Sequence, residues 1–163
     1  MDKFNKEYIL NVLTKVKDPE IPVLSIIDLG IVRDVNLSNN LVHIIITPTY
    51  SGCPAMKVIE DDILSALKKD FTNAKVSIQL SPAWTTDWMT LNGKENLKKF
   101  GIAPPKNSGF YQIDLSNKIE DLIECPLCGS NKTELISQFS STSCKSMYKC
   151  LECKEPFDYF KNF

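Results

Sequence analysis

Arginine and histidine are nearly missing from this chain: Arg33 and His43 are the only ones. Without further arginines there is no set of planar forks for bidentate contacts to phosphate or guanine. The other charges do not compensate, because the net charge is −1 and the sequence pI about 5.9. Residues 1–123 carry 14 basic and 15 acidic groups, and residues 124–163 carry five of each. Neither part has the basic footprint that binding to nucleic acid requires. There is no HExxH helix, no Ser/His/Asp arrangement and no glycine-rich phosphate loop. No run of 18 or more apolar residues occurs, so no segment is expected to span a membrane. The opening stretch, MDKFNKEYILNVLTKVKDPE, has neither an uninterrupted apolar region nor a small-residue cleavage site. A reducing, cytoplasmic location is the expectation, and there cysteine pairs are more often metal ligands than disulfides.

Cysteine, by contrast, is concentrated. Cys125-Pro-Leu-Cys128 and Cys150-Leu-Glu-Cys153 are two CxxC pairs separated by 21 residues. Each pair sets two sulfurs close enough to share one ion, and two pairs supply the four thiolates of a tetrahedral zinc site with bonds of about 2.3 Å. The spacer is slightly longer than the usual template but within reach of a zinc ribbon. Iron accepts the same sulfur tetrahedron, so zinc is the favoured ion and not the sole one. Gly129 follows the first pair, where a tight turn benefits from a residue that tolerates positive φ. Cys144 lies between the pairs and is left outside the ligand set, since four sulfurs suffice.

The rest of the chain reads as a small α+β domain. Phe4, Tyr8, Ile9, Val12, Leu13 and Val16 recur at helical spacing over residues 4–17, and Asp18-Pro19 ends that helix. Residues 31–37 alternate as a strand, and residues 41–47 form a denser apolar run suited to a strand buried on both faces. Ser38-Asn39-Asn40 joins them as a hairpin turn. A helix is expected from Pro54, with Ala55, Val58, Ile59, Ile63, Ala66 and Leu67 as its apolar stripe. Val76, Ile78 and Leu80 alternate in a third strand, and a short helix is expected from about 90 to 100, broken by Gly101 to Pro105. The expected organisation is a domain over 1–105, a linker over 106–122 and a ribbon over 123–163.

Cys53 is the candidate for chemistry outside the ribbon. At the start of a helix, unpaired N–H groups and the helix dipole favour an anion, which predicts a lowered thiol pKa and a more reactive sulfur. The alternative is a small apolar residue filling a gap. Asp18, Glu20 and Asp28 are the acidic groups that loops could bring near it. The alternative account of Asp18 is helix termination, and of Glu20 and Asp28 ordinary solvated charge, which is the favoured account for Asp28. His43 reads as a satisfied strand residue, and Trp84 and Trp88 as packing.

Taken in order, Asp18-Pro19-Glu20-Ile21-Pro22, Ile27-Asp28-Leu29-Gly30-Ile31-Val32 and Thr47-Pro48-Thr49-Tyr50-Ser51-Gly52-Cys53-Pro54 resemble the SufT-like metal–sulfur cluster assembly domain family. Pro82-Ala83-Trp84-Thr85-Thr86-Asp87-Trp88, Phe100-Gly101-Ile102-Ala103-Pro104-Pro105, the CxxC pairs and Glu155-Pro156-Phe157-Asp158-Tyr159-Phe160-Lys161 resemble the accessory-subunit family of bacterial phenylacetyl-CoA ring-epoxidases. The resemblance implies a small mixed sheet with packed helices followed by a four-Cys zinc ribbon. It also implies an accessory, non-catalytic part in aerobic phenylacetate breakdown, with the other epoxidase subunits as partners. Consistently, the chain lacks paired Glu-x-x-His motifs for a di-iron site. The implied task is maturation or repair of an iron–sulfur or iron centre, with Cys53 as transient ligand and Asp18 and Glu20 nearby. One thiolate cannot hold a cluster that takes four protein ligands, which makes a homodimer attractive. An adaptor without cargo, and a dithiol redox enzyme, are the competing readings.

Overall fold

A computed structural model describes residues 5–38, 41–106 and 122–163. The chain divides into two compact units, residues 1–93 and 94–163.

The first unit opens with helix α1 (Lys6–Leu13), capped by the Asn5 side chain, which accepts the Tyr8 N–H at 2.8 Å. The helix stops three residues before its apolar pattern does. Lys15 and Val16 donate to carbonyls three residues back, so the chain tightens into a narrower turn before Asp18. Strands β1 (Val32–Ser38) and β2 (Leu41–Ile46) pair antiparallel, and the connecting residues 39 and 40 lie outside the described residues. Helix α2 (Met56–Leu67) crosses over to β3 (Asn73–Ile78), which pairs parallel to β2. The result is a mixed three-stranded sheet in sequence order.

Ile9 and Leu13 of α1, Ile44 and Ile46 of β2, and Ile59, Ile63 and Leu67 of α2 are all essentially inaccessible and form the core. Each such side chain contributes roughly 1.5–3 kcal/mol by burial. Strand β2 differs from expectation: Leu41 is exposed and His43 and Ile45 half-buried, so only its alternate face is covered. On that less covered face His43 bonds Ser77 Oγ at 2.8 Å. Val58 also leaves the predicted stripe, being 47% exposed.

Helix α3 (Leu91–Lys99) begins in the first unit and continues in the second, and Gly101 (φ 90°) stops it. In the second unit β4 (Ile102–Ala103), β5 (Thr133–Ser137), β6 (Lys145–Cys150) and β7 (Pro156–Phe160) form a sheet in the order β4-β7-β6-β5. Residues 94–105, read from sequence as part of the first domain, thus belong to the second unit, where β4 pairs parallel to β7. The expected linker falls almost wholly on residues 107–121, outside the described residues. The second core is small: Ala103, Ile123, Cys125, Cys150, Phe157 and Tyr159. Tyr148 meets Tyr159 edge-on at 5.8 Å. The buried Lys145 ammonium is matched by Asp158 at 3.0 Å. Among the described residues, no helix is long and apolar enough to cross a membrane.

Candidate functional site

The four CxxC sulfurs converge. Cys125 and Cys128 come from the turn before β5, and Cys150 and Cys153 from the end of β6 and the turn that follows. Both turns end in a left-handed residue, Gly129 (φ 77°) and Lys154 (φ 65°). Gly129 N–H donates to the Cys125 carbonyl at 2.9 Å, which closes the first knuckle. Each knuckle aims backbone N–H groups at its own sulfurs: Ser130 at Cys128, Glu152 and Cys153 at Cys150, and Glu155 at Cys153.

The sulfurs lie 3.8 Å apart for Cys125 and Cys153 and 3.5 Å for Cys128 and Cys150, and all four are within 4.8 Å of one another. Sulfurs on a tetrahedron about 2.3 Å from a central ion stand about 3.8 Å apart, so the spacing fits one tetrahedral ion. All six cysteines are free thiols, which removes the disulfide alternative. Burial opposes ionisation of Cys150, but the N–H groups of Cys153 and Glu152 outweigh it and bring the thiol to about 6. For Cys153 the Glu155 N–H favours the thiolate, yet burial and three neighbouring sulfurs push it up to about 12. Four crowded thiols share too little positive potential to ionise together, and a divalent cation supplies what is missing. Cys144 is buried, bonded to the Thr142 hydroxyl at 3.1 Å, and outside this group.

Cys53 stands in a different setting. It is half-buried in the loop after β2, and regular α2 begins only at Met56, with Ala55 as its cap. The nearby Ala55 N–H and Thr49 hydroxyl favour its thiolate. The expected lowering of its pKa is nevertheless overturned: burial raises the thiol above its ordinary value, and the charges of Glu20 and Asp18 add to the rise. Desolvation and two carboxylates outweigh one amide and one hydroxyl. The fold therefore does bring Asp18 and Glu20 within electrostatic reach of Cys53. Among the described residues, however, these three are not close enough to form a ready ligand group, and the CxxC cysteines alone are. Asp18 is buried, and its Oδ1 accepts the N–H groups of Glu20 (2.8 Å) and Ile21 (2.7 Å), which shapes the acidic turn.

Asp28 is not the solvated charge expected of it. Its carboxylate accepts from Ser25, Thr90 and Asn92, and these bonds more than offset burial and hold it below its ordinary value. Trp84 is buried with its indole N–H on the Leu29 carbonyl at 3.0 Å, and Trp88 carries the Arg33 guanidinium 3.5 Å over its ring. Sequence reading missed Thr49 as a partner of Cys53. A threonine four residues before a cysteine in a loop is a weak signal, because only the turn at Tyr50–Cys53 makes them neighbours.

Fold and site together define a two-part protein, a small α+β domain with one guarded thiol followed by a four-sulfur metal ribbon. Residues 6–81 match the iron–sulfur cluster assembly protein family, and residues 114–161 match the PaaD zinc beta ribbon domain. An Escherichia coli (strain K12) protein provisionally named as a subunit of 1,2-phenylacetyl-CoA epoxidase is 47% identical over 150 residues, 91% of this chain and 88% of that protein. The Fe-S protein maturation auxiliary factor YitW of Bacillus subtilis is 37% identical over 58% of this chain and 94% of its own length. The crystal structure of a DUF59 domain from Bacillus anthracis superposes with a TM-score of 0.54, at 29% identity, over 56% of this chain and 90% of that one. The chain belongs to the PaaD-type family of that epoxidase subunit, built from an iron–sulfur cluster assembly domain and a PaaD zinc ribbon.

Proposed function

We propose that this protein is an accessory factor of a phenylacetyl-CoA epoxidase that matures or repairs an iron–sulfur or iron centre in a partner subunit. The observation that carries this reading is the joining, in one chain, of an assembly domain over residues 6–81 to a PaaD ribbon over 114–161. Cys53 is the transient ligand for the cargo. Its half-buried sulfur lies within electrostatic reach of two carboxylates, and burial with these charges disfavours a bare thiolate and favours one bound to a cation. Cargo binding therefore releases the thiol proton. Since one thiolate completes no cluster, a second copy, a carboxylate or the recipient supplies the remaining ligands. Cys125, Cys128, Cys150 and Cys153 hold zinc as a structural ion, and the ribbon provides the docking surface for other epoxidase subunits.

Anaerobic reconstitution with iron and sulfide tests this, followed by absorption and Mössbauer spectra of wild type and Cys53→Ser. Loss of the non-ribbon iron in the variant is the expected result, and equal iron in both refutes Cys53 as the ligand. Elemental analysis of protein purified without added metal should find about one zinc per chain. A second reading, an adaptor that stabilises the epoxidase assembly without cargo, is favoured by the absence, among the described residues, of a ready ligand group around Cys53. It requires Cys53→Ser to retain pathway function while loss of the ribbon cysteines abolishes it.

A further inference from the structure

Asp28 stands at the centre of a hydrogen-bond chain that ends at the acidic turn. Its Oδ1 accepts from the Thr90 hydroxyl (2.8 Å) and the Asn92 amide (3.0 Å), and its backbone carbonyl accepts the Thr90 N–H (2.9 Å). Its Oδ2 accepts from the Ser25 hydroxyl (2.7 Å), whose oxygen in turn accepts the Asp28 N–H (2.9 Å). Ser25 forms a backbone bridge with Lys17, and the next residue, Asp18, donates its N–H to the Leu24 carbonyl at 2.9 Å. Asp18 then caps the turn that carries Glu20. Thr90 and Asn92 are 62 and 64 residues from Asp28 and follow the end of the assembly-domain match at residue 81. The clasp residues Ser25, Asp28, Thr90 and Asn92 all lie outside strands β1 and β2.

We propose that Asp28 is a positioning residue for the Cys53 site: anchored by Thr90 and Asn92, it fixes through Ser25 the acidic turn that holds Asp18 and Glu20 within electrostatic reach of the sulfur. The inference rests on the reading of Cys53 as a cargo ligand. In metal sites generally, groups that orient a ligand without touching the ion change affinity by roughly 10–100-fold when removed. An Asp28→Asn change keeps the shape but turns one acceptor oxygen into a donor facing hydroxyl and amide donors.

The test uses the full chain with the ribbon loaded with zinc, titrated anaerobically with cobalt(II) and followed by sulfur-to-cobalt charge-transfer absorption. Wild type, Cys53→Ser, Asp18→Asn, Asp28→Asn and the double variant Asp18→Asn/Asp28→Asn form the series. The Cys53-dependent affinity should fall roughly tenfold in Asp28→Asn. In the Asp18→Asn background the same change should add less than about twofold, because coupled residues are non-additive. Thr90→Val, which removes one bond of the clasp, serves if Asp28→Asn does not fold, and should weaken cobalt binding in the same direction. Cys53-dependent binding that neither variant weakens, or losses that simply add in the double variant, overturns the positioning role. A Cys53→Ser isotherm identical to wild type overturns the cargo reading and the positioning role with it.

Discussion

Replacing Gly30 by alanine should destabilise the first unit by about 2–5 kcal/mol, from two separate physical causes. Gly30 has φ 75°, a left-handed conformation that costs an ordinary L-residue about 1–2 kcal/mol. A Cβ built on it would lie 2.1 Å from the Trp88 carbonyl oxygen and 2.5 Å from the carbonyl carbon. Those are backbone atoms, so no rotamer relieves the overlap, and the Trp88 segment must move away at an overpacking cost of about 1–3 kcal/mol. Moving it also disturbs the Arg33 stack on Trp88 and the Trp84 bond to Leu29. The assay is intrinsic: the chain's two tryptophans, Trp84 and Trp88, both sit in this segment, so their emission during urea unfolding reports on the first unit alone. In a unit of 93 residues each kcal/mol shifts the thermal midpoint by roughly 4–8 °C, so a fall of at least about 8 °C is expected on heating. Gly52→Ala is the control, since a Cβ there meets nothing within 4 Å. It should be neutral, or stabilising by roughly 0.4–1 kcal/mol through the unfolded chain. A Gly30→Ala protein within about 1 kcal/mol of wild type, or a Gly52→Ala protein as damaged as it, would refute the steric argument.

Three further outcomes are expected. At pH 7 iodoacetamide should label Cys53 more slowly than a free thiol, and faster once Asp18→Asn and Glu20→Gln remove the flanking charge; labelling above the free-thiol rate contradicts the burial argument. Because its folded pKa is raised, this group's contribution to stability is complete below about pH 8.5 and declines as pH rises through the folded value. Asp28 has the opposite sign: its lowered pKa makes its contribution complete above about pH 4 and lost as pH falls further, so Asp28→Asn should flatten the acid limb of tryptophan-monitored unfolding. Thr47 Oγ1 is buried without a hydrogen-bond partner, so Thr47→Val should be neutral or stabilise by about 1 kcal/mol in the same urea assay; a loss of that size means the hydroxyl is paired in solution.

What the sequence made legible was local. Alternation in residues 31–37 located β1, and the spacing of Ile59, Ile63 and Leu67 located the buried face of α2. The two CxxC pairs located the four sulfurs that converge, because a knuckle is a short turn whose sulfurs need only each other's company. Properties set by distant partners were not legible. Period alone could not show that β2 is covered on one face, since that depends on where α1 and α2 settle. Asp28 looked like a loop charge because its donors Thr90 and Asn92 lie more than sixty residues away. The error at Cys53 has the same origin: a helix start is visible in sequence, whereas desolvation and the approach of Asp18 and Glu20 exist only after folding.

That error separates the two kinds of sulfur in this chain. In the ribbon, four sulfurs lie mutually within 4.8 Å, with backbone N–H groups directed at Cys128, Cys150 and Cys153. An ion there has every tetrahedral position filled by protein, so no vacant position is left for an incoming ligand, and the ion's release would demand breaking the knuckles that hold a very small core together. Cys53 offers one sulfur, half-buried, with carboxylates within electrostatic reach that welcome positive charge but do not close around it. In the role proposed for Cys53, an ion or cluster bound there would keep open positions, and a recipient's ligands could enter before the Cys53 bond breaks. The lack, among the described residues, of a ready three-donor group at Cys53 favours the adaptor reading for a resident metal, but it is compatible with the transient possession proposed for this sulfur.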